Sequence, residues 1–103
     1  MSVINLPNPV DFEWDQHNAE KNFLKHRVTK SEAEQTFFNF YLSEPDEPHS
    51  KAEQRFALLG MSDQKRILSI IFTIRNHKIR IISARSADKK ERRLYEEGFE
   101  KNS

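Results

Sequence analysis

The chain has 103 residues, no cysteine and a formal net charge of +1, so one domain with one modest core is expected. No disulfide framework, thiolate zinc site or cysteine nucleophile can be built from it. The longest mainly apolar run, Ile67 to Ile74, is interrupted by Ser69 and Thr73, and no basic segment followed by an apolar one opens the chain, so a cytoplasmic protein without membrane contact is expected.

Residues 1–9, with Pro7 and Pro9, read as a loose lead-in. Val10, Phe12 and Trp14 alternate with Asp11, Glu13 and Asp15, the pattern of a short half-buried strand. Asp15 can cap a helix to about His26 with Ala19, Phe23 and Leu24 on its inner face. Thr29 and Glu32 fit a capping box, with Val28 and Ala33 at the staple positions, for a second helix ending near Asn39 and burying Phe37 and Phe40. Phe40–Ser43 is a short strand. The segment Glu44–Gln54, with Pro45, Pro48 and four acids, is a loop. Strands Arg55–Met61, Arg66–Arg75 and Lys78–Arg85 follow, joined by the short links Ser62–Lys65 and Asn76–His77. A last helix starts at Asp88, capped with Glu91, and stops at Gly98, leaving 98–103 as a tail. The order β-α-α-β-β-β-β-α describes an α+β domain with helices on an antiparallel sheet.

Charge is unevenly spread. Residues 1–54 hold five Lys/Arg and ten Asp/Glu, and residues 55–103 hold twelve and six. A basic half of this kind suits a polyanion or an acidic partner, or is a face neutralised by its own acids. With Asn76–His77 as a two-residue turn, Arg75 faces Lys78, Thr73 faces Arg80, Ile71 faces Ile82 and Ser69 faces Ala84. Ser69, Thr73, Arg75, Lys78 and Arg80 then share one face, and Leu68, Ile70, Phe72, Ile74, Ile79 and Ile81 the other. Placing Phe56 and Leu58 in the core sends Arg55, Ala57 and Leu59 to the cationic face and requires an odd-numbered loop near Ser62–Asp63–Gln64. Arg85 has core parity in a strict register, so it ends the strand or a bulge re-aims it.

Several segments carry a resemblance: Phe12-Glu13-Trp14-Asp15, Asn22-Phe23-Leu24-Lys25-His26, Glu53-Gln54-Arg55-Phe56 with Gly60, Thr73-Ile74-Arg75, Ile79 through Ala87 with its Ile-Ser-Ala-Arg core, and Glu91-Arg92-Arg93-Leu94-Tyr95-Glu96. Over residues 12–97 the chain resembles the BrnT toxin family. The resemblance implies a RelE-like ribonuclease fold, the toxin role in a type II toxin–antitoxin pair, and neutralisation by a BrnA-like ribbon-helix-helix antitoxin, through which operator DNA is contacted. The chain departs from the family at Arg27, where Gly commonly follows the Lys-His pair, and at Asn76 in the hairpin. Either a left-handed cap forms at Arg27, at a cost of roughly 1 kcal/mol relative to Gly, or the helix ends differently there.

RNA cleavage by 2′-OH attack needs a base for that hydroxyl, cations for the extra negative charge and an acid for the 5′-oxygen. Arg55 and Arg80 are assigned to the transition state, with Arg75 beside them and Arg85, which closes the Ile-Ser-Ala-Arg motif, in the same catalytic set. Glu53 is the candidate base. His26, at a helix C-terminus that favours its protonated form, is the candidate acid. Lys78, Lys25 and His49 are assigned to RNA contacts, and His49 could also swing inward from its loop as acid or base. The four His show no ligand spacing, so no metal or other cofactor is expected. The competing reading is a non-catalytic module, a degenerate toxin that docks nucleic acid or an acidic partner with the same cations.

Overall fold

The computed structural model describes residues 6–8 and 10–102, apart from the side chain of His49. Residues 1–5 and 9 of the expected lead-in, and Ser103, lie outside the described residues. In chain order the elements are β1 (Phe12–Glu13), α1 (Gln16–His26), α2 (Lys30–Gln35), β2 (Tyr41–Pro45), β3 (Phe56–Met61), β4 (Ile67–Arg75), β5 (Lys78–Ser86) and α3 (Lys89–Asn102), with one 3-10 turn at Glu47–His49 in the acidic loop. The fold is α+β, and its single sheet has the strand order β1-β5-β4-β3-β2.

The sheet is mixed, which corrects the expectation of a purely antiparallel one. Phe12 lies opposite Ile79 and Glu13 opposite Arg80 in parallel, while the other pairings are antiparallel. Alternation marks a strand without giving its direction. Here the pairing sets β1 parallel to β5 at the level of Ile79 and Arg80, and the cap residue Asp15 leads directly into α1. Asn22 Oδ1 accepts the Ala84 N–H at 3.3 Å, and the Arg27 carbonyl accepts Arg66 Nη2 at 2.8 Å. These two contacts lay α1 along β5, from the level of Arg80 to the far end of the strand.

Asp15 caps α1 by accepting the Asn18 N–H at 3.1 Å, as expected. The inner face differs from the expected one. Asn22 is buried, whereas Phe23 is 42% and Leu24 70% exposed. A 3.6-residue period through Asp15, Ala19, Asn22 and His26 faces the sheet, and the two apolar side chains after Asn22 fall outside that stripe. Of the two expected alternatives, Arg27 adopts the left-handed cap (φ 56°, ψ 35°). Thr29 caps α2 by accepting the Glu32 N–H, but the Glu32 carboxylate turns away to Arg66 and does not complete the box.

Two clusters sandwich the sheet. Val28, Ala33 and Phe37 cover Leu58, Leu68, Ile70, Phe72, Ile79 and Ile81 on one face. On the other, Tyr95 and Ala87 cover Leu59 and Ile67, with Phe40 and Met61 against them. Phe40 therefore belongs with α3, its ring 5.7 Å from that of Tyr95, and not with α2. The helix α3 does not stop at Gly98 and continues to Asn102, so the expected tail is helical through that residue. Glycine serves packing there: a Cβ at Gly98 would stand 2.9 Å from the Leu42 methyls. At the other end of α3, Asp88 and Glu91 form a reciprocal capping box, each carboxylate accepting the other's N–H at 2.8 and 2.9 Å.

The β3–β4 connection is odd-numbered, Asp63–Gln64–Lys65, one residue later than expected, with Ser62 N–H bonded to the Arg66 carbonyl and Lys65 at φ 68°. Asn76 and His77 both have positive φ (53° and 60°), as a tight I′ turn requires. Arg75 faces Lys78 and Thr73 faces Arg80, as expected, but the register then shifts: Phe72 faces Ile81, and Ile71 faces Ser83. The bulge at Ile82 replaces the expected Ile71–Ile82 and Ser69–Ala84 pairs with Ile71–Ser83 and Ser69–Arg85. Arg85 is thereby re-aimed off the core parity.

Gly60 packs against the buried end of α2, where an added Cβ would lie 2.8 Å from Thr36 Cβ and 3.1 Å from its carbonyl oxygen. Gly60→Ala is expected to lower stability by about 1–3 kcal/mol in urea unfolding. An unchanged midpoint would show that β3 and α2 can separate freely.

Candidate active site

Parity across β3, β4 and β5 gathers Arg55, Thr73, Arg75, Lys78 and Arg80 at the hairpin end of one sheet face, the face that α3 covers farther along. Continuing the β3–β4 register by one step sets Arg55 across from Thr73, which itself faces Arg80. Thr73 is buried, and its Oγ1 donates to the Gln54 carbonyl at 2.7 Å, which fixes the segment carrying Glu53 and Arg55 beside β4.

The cations here are largely engaged. Arg75 Nη2 donates to both Glu53 oxygens, at 3.1 and 3.0 Å. Arg80 Nη1 meets Glu13 Oε1 at 2.5 Å, and its Nη2 meets Asp15 Oδ2 at 3.3 Å. Lys78 Nζ lies 3.9 Å from Asp11 Oδ2. Arg55 is half-buried, and among the described residues its guanidinium has no carboxylate partner. The two bridges differ in exposure. The Arg75 and Glu53 side chains are 45% and 34% exposed, whereas Arg80 is 20% exposed between two carboxylates. An exposed pair contributes about 0–1 kcal/mol, so a phosphate could compete for Arg75 far more readily than for Arg80.

Other expected site residues stand elsewhere. Arg85 shares the face but lies roughly 15 Å along β5 from Arg80 at strand rise. Its guanidinium holds Glu91 of α3 through two contacts, at 2.8 and 3.1 Å. His26 ends α1 beside Arg27, whose carbonyl is tied to Arg66. From Arg66 to Thr73 is about 23 Å of extended chain, so His26 is not brought to the arginine cluster. Lys25 is exposed on α1 and also stands apart. His49 falls in the 3-10 turn, and its side chain lies outside the described residues.

Sequence reading missed the carboxylate partners of these cations. Asp15 and Glu91 were legible only as helix caps, yet they also hold Arg80 and Arg85. The acidic first half against the basic second half was the available signal. The Asn18 amide, assisted by Arg80, holds the Asp15 carboxyl below its usual value. Burial pushes Glu91 upward, but the hydrogen bonds from Arg85 and the Asp88 amide outweigh it, and its carboxyl ends below the usual range. The same contact raises the Arg85 guanidinium.

One hollow meets the row at Lys78, and another lies away from it. The first, of about 310 Å³, is at the turn, lined by Pro7, Asp11, Asn76, His77 and Lys78. The second, of about 620 Å³, lies between α3 and the β3–β4 loop, over Phe40, Met61, Tyr95 and Phe99. Among the described residues no group of His, Asp and Glu is arranged to hold a metal ion, and no helix is long and apolar enough to cross a membrane.

A depressed Glu91 carboxyl stabilises the fold above its unfolded value, and that stabilisation disappears as pH falls through the lower folded value. The melting-temperature gap between wild type and Glu91→Gln should therefore narrow from neutral pH to about pH 3. A gap independent of pH would remove the Arg85–Glu91 bridge from the account.

Residues 14–91 match the family model described as the ribonuclease toxin BrnT of type II toxin–antitoxin systems. Among curated proteins none matches. The chain is similar in fold to the Brucella abortus ribonuclease toxin BrnT, solved at 1.1 Å resolution, with a TM-score of 0.57, 22% identity, and coverage of 78% of this chain and 99% of that one. The family match takes in the helices α1 and α2, the whole arginine-bearing sheet beyond β1 and the cap of α3: the chain belongs to the BrnT family of ribonuclease toxins of type II toxin–antitoxin systems.

Proposed function

We propose that this chain is a cytoplasmic endoribonuclease of RelE-like fold that cleaves RNA without metal, by attack of the ribose 2′-OH on the adjacent phosphorus. The observation that supports it is Arg55. It is half-buried and carries no carboxylate among the described residues, and its place in the register is beside Thr73 and the exposed Glu53–Arg75 pair. In this reading Arg55 grips the scissile phosphate, where a bidentate guanidinium matches two oxygens. The phosphate also draws Arg75 from Glu53, freeing that carboxylate to take the 2′-OH proton. Arg80, bracketed by Glu13 and Asp15, is a brace that positions the row. Lys78 tracks the backbone at the turn. His26, Lys25 and Arg85 take no part in bond cleavage, and the 5′-oxygen takes its proton from solvent. A BrnA-like ribbon-helix-helix antitoxin neutralises the toxin and carries the operator contacts.

One observation favours the second reading, a binding module without catalysis: Arg75, Arg80 and Arg85 each hold a carboxylate. RNA degradation in EDTA separates the two. With contaminating nuclease excluded, wild type should cleave, and Arg55→Ala and Glu53→Gln should each lose about 100-fold or more in rate. Intact RNA with wild type would establish the binding module, and full activity in both variants would refute the assigned residues. Arg80→Ala should lower both activity and melting temperature, because it strands two carboxylates.

A further inference from the structure

Ten cations lie between Lys65 and Arg93, and the structure divides them. Arg66, Arg75, Lys78, Arg80 and Arg85 each contact a carboxylate. Lys65, Lys89, Lys90, Arg92 and Arg93 have no carboxylate partner among the described residues. Four of these five stand in the first turns of α3, so most of the uncompensated positive charge between Lys65 and Arg93 is on this helix, while Arg55 stands on the sheet face.

That placement works against the helix. Its N-terminal end is the positive end of the macrodipole, where cations are disfavoured, yet Glu96, Glu97 and Glu100 occupy the half nearer the negative end. The backbone amides are not what a ligand would meet, because Asp88 and Glu91 cap them reciprocally. Arg92 is tethered to the Ala87 carbonyl. At 100° per residue, Lys89, Lys90 and Arg93 turn away from the buried Tyr95 and face solvent together. Tyr95 packs on Leu59 and Ile67, and Glu91 holds Arg85, so α3 lies on the same sheet face as Arg55, Thr73 and Arg80. The end of β5 is roughly 20 Å from Arg80 at strand rise.

We infer that Lys89, Lys90 and Arg93 form a second phosphate-tracking surface, which holds the single RNA strand beyond the scissile bond while Arg55 grips the bond itself. This rests on the RNA-cleaving reading above. Charge complementarity selects the occupant: a flexible polyanion on the sheet face can meet both clusters, and the acids farther along α3 repel it from the opposite direction.

The test is binding of a non-cleavable 2′-O-methyl RNA strand across a salt series, for wild type, the Lys89→Gln/Lys90→Gln/Arg93→Gln variant and Lys101→Gln. Each lost phosphate contact should flatten the slope of log K against log salt by about 0.7, so the triple variant should be shallower by about 2. Lys101→Gln, on the same helix at its other end, should keep the wild-type slope. The triple variant should also melt no lower than wild type, since it removes cations from the positive end of the dipole. Wild-type binding with an unchanged slope in the triple variant would overturn the surface and leave the cleavage reading standing. An equal flattening by Lys101→Gln, or a flattening seen with duplex DNA and absent with RNA, would also overturn it. Failure of wild type to bind RNA at all would overturn the cleavage reading, and this inference with it.

Discussion

Asp11, Glu13, Asp15, Glu32 and Glu53 all come from the acidic first half of the chain, and each holds a cation from the basic second half: Lys78, Arg80 again at Asp15, Arg66 and Arg75. The net charge near zero is therefore the sum of two opposed surfaces that close on one another. Without that closure, the hairpin would carry Arg75, Lys78 and Arg80 side by side, with repulsion of some tenths of a kcal/mol per cross-strand pair. With it, β1 is held at the edge of β5, the cap of α1 is tied to Arg80, and the Glu32–Arg66 contact joins α2 to the start of β4. Three connections between distant parts of the sequence thus depend on charge, laid over a core that supplies most of the stability.

Compensation also decides what is left for function. A guanidinium between two carboxylates is a brace, while one in an exposed single pair can exchange its partner for a phosphate at small cost. Arg80 is the first kind and Arg75 the second. Arg55 needs no exchange. The basic character of the second half, read from sequence as one patch, is thus sorted by the fold into braces, an exchangeable pair at Glu53, and free charge at Arg55 and along the start of α3. The chain belongs to a family of ribonuclease toxins, and the sorting separates the arginines held by carboxylates from Arg55, which has none among the described residues.

Much of this was legible. Strand identity, the Asn76–His77 turn, the core parity of Phe56 and Leu58 and the need to re-aim Arg85 all follow from a two-residue period, which few side chains can violate without burying a charge. The caps at Asp15, Thr29 and Asp88 are local hydrogen-bond chemistry and were equally readable. What escaped was tertiary. Phe23 and Leu24 are apolar yet exposed, because the helix face turned to the sheet carries Asn22. Its Oδ1 accepts the Ala84 N–H beyond the end of β1, while its Nδ2 is buried without a partner among the described residues. Gly98 reads as a stop, but its missing Cβ makes room for Leu42. The direction of β1 and the partner of each arginine depend on which distant segments meet, and no local pattern encodes that. For the site, the row of side chains was legible and its state of pairing was not.

The central claim is that Arg80 is engaged by Glu13 and Asp15 while Arg55 is open to a phosphate. Arginine side-chain Nε–H NMR during titration with a non-cleavable RNA dinucleotide addresses it directly. The account predicts that the Arg55 resonance shifts first, with Arg75 following and Arg80 unmoved. A shift at Arg80 with Arg55 silent would contradict it.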